Sequence, residues 1–146
     1  MKVEIVRLNL LASLRYVRET YSDPFSFREG DGEKIFCFEL DESQAVEFDP
    51  DKTAFFASPL FCGKAANSAE ASAETGAEAL VELPQGNYLF AQKREITGRE
   101  DIAGMALEVQ QEALWQRLLP GSRLYLRYLF EDGSCVSQIF RPFTER

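Results

Sequence analysis

The sequence predicts an α+β fold in which duplicated β-α-β-β units pool their strands into one antiparallel sheet with helices on one face. Three observations lead there. The order strand, helix, strand, strand is legible twice along the 146 residues. Residues 63–79, rich in Ala, Ser and Glu and without a large apolar side chain, separate the two passages as a polar linker that cannot anchor itself in a core. Near the end, Glu131-Asp132-Gly133-Ser134 between two apolar runs marks a tight hairpin. One domain, residues 1–146 with pseudo-repeat halves 1–62 and 80–146, is expected.

In the first half, Val3 to Leu8 has the apolar and β-branched content of a strand. Leu10, Leu14, Val17 and Tyr21 then recur at helical spacing, with Asn9 as N-cap and Asp23-Pro24 as the stop, so a short helix is expected. Gly30-Asp31-Gly32 signals a turn, and Lys34–Leu40 and Thr53–Leu60 are the next strands. In the second half, Leu80 to Lys93 predicts a strand broken by Pro84-Gln85-Gly86, with Tyr88, Phe90 and Gln92 on one side and Leu89 and Ala91 on the other. Thr97-Gly98-Arg99-Glu100 has the form of a capping box. Ile102, Met105, Ala106, Val109 and Ala113 then share one helical face before Leu118-Leu119-Pro120-Gly121 ends the run. Trp115 lies off that stripe and is expected at the periphery of the core. Arg123–Phe130 and Cys135–Phe143 are the closing strands.

A two-residue Asp132-Gly133 loop fixes the hairpin register. It places Phe130 opposite Cys135, Tyr128 opposite Ser137 and Leu126 opposite Ile139 on a face that should meet the helix. The other face pairs Leu129 with Val136, Arg127 with Gln138 and Tyr125 with Phe140, a mixture of aromatic and directed polar groups suited to a pocket wall. With Tyr88 and Phe90 from the neighbouring strand, the candidate ligand-binding residues are Tyr88, Phe90, Tyr125, Arg127, Gln138 and Phe140, with Arg127 as anion anchor. The plainer alternative for Arg127 and Gln138 is an ordinary cross-strand pair.

Composition narrows the function. Sixteen basic against twenty-four acidic residues leave a net charge of −8, unfavourable for nucleic acid or anionic lipid. The absence of histidine removes the commonest general base and a common metal ligand, so no metal, no cofactor and no catalytic residue is expected. Cys37, Cys62 and Cys135, each in an apolar context and without a Cys-x-x-Cys pair, suggest buried free thiols in a reducing cytoplasm. The first residues are too often interrupted by charge for a signal sequence, and no apolar run approaches membrane-spanning length.

The element order, with Leu83-Pro84-Gln85-Gly86-Asn87-Tyr88-Leu89-Phe90 leading to a helix and a closing strand ending Gln138-Ile139-Phe140-Arg141-Pro142-Phe143, resembles the GyrI-like, or AraC effector-binding, domains, chiefly over residues 80–143. The resemblance implies a duplicated β-α-β-β fold whose halves form a groove for a small, often hydrophobic or cationic, molecule. The glutamate that many members carry on a strand of the second half has no equivalent in Arg123–Phe130, where arginines stand. Some members of that family act as hydrolases using tyrosine and glutamate, a possibility the resemblance leaves open; the function expected is a stand-alone small-molecule-binding domain, non-catalytic, its ligand small and hydrophobic or amphipathic.

Two alternatives stay open. Asp49-Pro50-Asp51-Lys52-Thr53 has the Asp-x-Asp-x-Thr form of haloacid-dehalogenase-like phosphatases, in which Asp49 would attack phosphorus and Asp51 would act as acid and base with magnesium. The strand required before it, residues 42–48, is too polar for a buried parallel strand, and Pro50 suits a surface turn. The other alternative is a protein-interaction module or homodimer that uses an exposed face.

Overall fold

Strand-forming residues dominate, and they bury two faces instead of one. The structure is a computed structural model and describes residues 4–19, 33–40, 59–64, 80–94, 99–131 and 133–145. Its elements in chain order are β1 (Ile5–Leu10), β2 (Leu14–Glu19), β3 (Lys34–Glu39), β4 (Phe61–Lys64), β5 (Leu80–Leu83), β6 (Gly86–Arg94), α1 (Arg99–Trp115), β7 (Leu118–Pro120), β8 (Arg123–Glu131) and β9 (Ser134–Glu145). Every strand pair among the described residues is antiparallel.

The strand order β1-β6-β9-β8-β3-β4-β2-β5 has two ends that meet. β1 runs into β2 through Leu11-Ala12-Ser13, and β5 runs into β6 through Pro84-Gln85, so each pair is one long bent strand. These bent strands lie side by side: β1 pairs β6, with Leu10 opposite Gly86, and β2 pairs β5, with Leu14 opposite Leu83. The extra residue in the first bend is taken up as a bulge at the corner, where the Gln85 N–H donates to Ser13 Oγ at 3.0 Å. Val17 is the register partner of both Lys64 in β4 and Leu80 in β5, which therefore flank it on its two edges. The sheet thus closes into an antiparallel barrel through these two pairings, with β1 and β5 each paired along one edge among the described residues. β7 lies outside the ring and pairs with the end of β9.

Alternation along each strand divides the side chains between lumen and exterior. Tyr16, Ile35, Cys37, Val81, Leu83, Tyr88, Tyr125 and Phe140 form the inner cluster. Phe36, Phe38, Leu89, Ala91, Leu126, Tyr128 and Ile139 face outward and are covered by Ile102, Met105, Ala106, Val109 and Ala113 of α1. That helical stripe is the one its spacing predicts, and all five of its residues are fully buried. Gly63 faces the lumen where β4, β2 and β5 curl together. A Cβ there would meet Val81 Cγ2 at 2.7 Å, so only glycine fits. On the outer side Arg141 is fully buried; its Nε donates to the Gly121 carbonyl at 2.9 Å, and burial lowers its pKa to about 10.

The duplicated α+β arrangement is not what forms. Among the described residues α1 is the single helix, and antiparallel strand predominates. Residues expected as the first helix supply the end of β1 and all of β2, because Leu8, Leu10, Leu14 and Tyr16 serve the barrel lumen by strand alternation. Of the expected strand Thr53–Leu60, residues 53–58 lie outside the described residues, and the strand observed begins at Phe61. The expected linker loses Gly63 and Lys64 to β4, and residues 65–79 lie outside the described residues. No helix among the described residues is long and apolar enough to cross a membrane.

Candidate functional site

The six residues selected from the sequence do share one face, and closure turns that face inward. Register layers them along the barrel: Tyr88 is opposite Pro142; Phe90, Phe140, Tyr125 and Cys37 follow in one row; Gln92, Gln138, Arg127 and Ile35 form the next. Tyr88 meets Tyr125 and Phe140 edge-on, with ring centroids 6.2 Å and 5.9 Å apart, and Phe90 leans on Phe140 at 5.0 Å. Tyr88, Tyr125, Gln138 and Phe140 are buried, so most of the expected groove wall is packed lumen.

Arg127 is committed to its neighbours. Its Nη2 donates to Glu33 Oε1 at 2.7 Å and its Nη1 to Gln138 Oε1 at 3.1 Å, while Gln138 Nε2 donates to Gln92 Oε1 at 3.0 Å. The cross-strand pair with Gln138 is therefore present and is extended by an ion pair. Burial would lower the Arg127 pKa, but the bond to Glu33, with the charge beside it, outweighs that and leaves it raised. The Tyr16 hydroxyl is buried next to this pair without a well-formed hydrogen bond of its own, and burial pushes its pKa far up. This polar row plugs the lumen.

The opposite mouth is open. The Pro84–Asn87 bend, the start of β8 and the end of β9 surround a cleft of about 380 Å³. Tyr88 and Tyr125 floor it, Pro142 and Phe143 wall it with apolar surface, and Gln85, Asn87, Ser122 and Arg123 supply polar groups. The bend is shaped by Gly86, whose φ of 148° only glycine adopts freely, and by the Tyr88 hydroxyl, which donates to the Pro84 carbonyl. Across the cleft the Leu40 N–H donates to the Ser122 carbonyl and the Gly121 N–H to the Pro142 carbonyl, each at 2.7 Å, which fixes the entry to β8. The Arg123 guanidinium stands beside the Tyr125 hydroxyl, and that contact raises the arginine pKa. Beneath Tyr125 lies Cys37, whose thiol is pushed up to about 12 by burial, a poor nucleophile at neutral pH.

Of the residues selected from sequence, Tyr88 and Tyr125 reach the cleft, whereas Phe90, Arg127, Gln138 and Phe140 lie deeper. Arg123 was missed, although it shares the odd-numbered face with Tyr125 and Arg127. Asn87 and Gln85 were missed because the bend was read only as a break in a strand. Trp115 is corrected outright: it is 84% exposed, with Leu114 and Leu119 also exposed nearby in sequence, because the helix ends at this residue and its stripe faces the other way. A second hollow, about 390 Å³, is lined by Arg15, Leu80, Val81 and Glu82, with no aromatic ring among the described residues, and its arginine and glutamate pair with each other at 3.7 Å.

The Asp49 and Asp51 motif lies outside the described residues. The parallel sheet such a phosphatase needs contrasts with the antiparallel pairing of every strand described. No group of three or more Cys, Asp or Glu among the described residues is placed to hold a metal ion. No protein-family model matches the chain, and none of the curated proteins compared with it matches either.

Proposed function

We propose that this chain is a non-catalytic small-molecule-binding barrel domain of the cytoplasm, whose amphipathic ligand sits in the mouth cleft instead of inside the lumen. The observation that carries the reading is the cleft itself: about 380 Å³, with a tyrosine floor and a polar rim. Its size falls within the range of about 300–1,000 Å³ typical of small-molecule sites. The apolar part of the ligand lies against Pro142 and Phe143 over a floor made by the buried Tyr88 and Tyr125, which are already held by packing on each other and so lose little freedom on binding. Asn87, Gln85 and Ser122 orient its polar atoms. The role of anion anchor, first given to Arg127, passes to Arg123, because Arg127 is occupied by Glu33. The three free cysteines suit a reducing compartment.

A thermal-shift and NMR screen of amphipathic small molecules tests this. Hits should perturb Tyr88, Asn87 and Tyr125, and should be lost in Ser122→Trp, which fills the cleft from an exposed rim position without touching the lumen. Ligands that bind Ser122→Trp as tightly as the parent protein would sink the proposal.

A further inference from the structure

We infer that the ligand of the mouth cleft is a small organic acid whose acid group seats on Arg123, an inference that rests on the small-molecule reading above. The first observation is charge. The chain carries −8, yet among the described residues no aspartate or glutamate lines the cleft and Arg123 is the one charged residue in its lining. The second is availability. Arg7, Arg15, Arg94 and Arg127 each form an ion pair with a glutamate, whereas Arg123 forms none with any described carboxylate; Glu39, opposite it in the register, stays beyond ion-pair distance. Arg123 is exposed, lines the cleft beside the Tyr125 hydroxyl, feels the Glu39 charge without pairing to it, and carries the planar fork that matches a carboxylate or phosphate.

The third observation is shape. The Tyr88 and Tyr125 rings stand at 87° to one another with centroids 6.2 Å apart. Both rings are buried and packed on each other, so they form the floor of the cleft, and the half-buried Pro142 and Phe143 supply its apolar wall. The Asn87 and Gln85 amides stand on the bend side and Arg123 on the β8 side. A small body with an apolar part and an acid group at one end matches this division between apolar wall and cation.

The test is an NMR titration of the full chain with small aromatic carboxylates, the matched primary amides, and aryl phosphates of the same ring systems. Carboxylates or phosphates should perturb Arg123, Tyr125 and Asn87 and bind at least about tenfold more tightly than the amides, a difference expected for a charge-assisted fork over a neutral contact. Arg123→Gln should bring acids and amides to equal affinity, and Arg123→Lys should restore part of the gap. The ratio of carboxylate to phosphate affinity identifies which acid the site prefers. Amides that bind at the mouth as tightly as acids overturn the acid inference and leave the small-molecule cleft standing. Compounds of all three kinds that fail to perturb the mouth residues overturn both.

Discussion

Placing a methyl group at Gly63 tests the closed barrel at its tightest seam. A Cβ at this position would lie 2.7 Å from Val81 Cγ2, 3.0 Å from Tyr16 Cβ and 3.0 Å from the Val17 carbonyl oxygen. The last of these is backbone of the intervening strand, and Tyr16 and Val81 are both buried, so the neighbours cannot simply turn away. Overpacking of this kind costs about 1–3 kcal/mol. The loss of glycine freedom in the unfolded chain returns about 0.4–1 kcal/mol. Three contacts at 3.0 Å or less, one of them to backbone, put the overpacking in the upper half of that range, so Gly63→Ala should destabilise by about 1–2.5 kcal/mol net, a fall in Tm of about 2–10 °C for a chain of this size. Urea denaturation followed by circular dichroism should show a lower midpoint with an unchanged slope. In a Val81→Ala background the nearest clash is absent, and the same glycine change should cost about 1 kcal/mol less. If Gly63→Ala is neutral or stabilising, or if the two changes are simply additive, then β4 and β5 do not converge across β2 and the closure argument is wrong.

Three further outcomes follow from burial. Cys37 has its pKa raised from 9.0 to about 12 by burial, so the folded state keeps a proton that the unfolded chain releases. Its contribution is fully present below pH 9 and is lost as the pH rises towards 12, at most about 4 kcal/mol; Cys37→Ala should flatten the onset of alkaline unfolding above pH 9, and a thiol reagent should label half-buried Cys135 before Cys37 or Cys62. Trp115, the sole tryptophan and 84% exposed, should emit like a solvated indole, be quenched by iodide, and tolerate Trp115→Ala within about 0.5 kcal/mol; shielded, blue-shifted emission would contradict its placement. Tyr16→Phe removes a buried hydroxyl that lacks a well-formed bond, so stability measured by urea unfolding should hold or rise by up to about 1 kcal/mol, and a loss above 1 kcal/mol would mean that the hydroxyl is bonded to the Arg127 and Glu33 pair.

The parts of the fold legible in the sequence are those whose signal is local. The α1 stripe repeats at 3.6 residues and its five predicted positions are all buried, with Ala103 and Gln110 beside them. The β8–β9 register is the one expected from the Asp132-Gly133 signal, and the pairs Phe130 with Cys135, Tyr128 with Ser137 and Tyr125 with Phe140 form. Gly133, with φ 80°, supplies the left-handed residue such a turn needs. The misreading of residues 10–21 has an identifiable cause. Leu10, Leu14 and Val17 fit a helical period, while Leu8, Leu10, Leu14 and Tyr16 fit an alternation of two interrupted at a corner, and nothing local separates these patterns. β4 was missed because Phe61-Cys62-Gly63-Lys64 is short and its glycine resembles a loop signal, when in fact that glycine admits the close approach of Val81.

For the site, the sequence by itself determined which side chains share a face. Tyr88 and Phe90 alternate with Leu89 and Ala91, and Tyr125 and Arg127 alternate with Leu126 and Tyr128, because the two-residue period is a property of any extended strand. Only the tertiary structure decided which part of that face is open. Closure depends on residues 5–19 lying along residues 80–94, a pairing between segments far apart in the chain that no short-range pattern encodes. Once the ring closes, the aromatic face becomes a lumen, Arg127 and Gln138 are spent on its polar plug, and Tyr88, Tyr125 and the unforeseen Arg123 are left at the mouth.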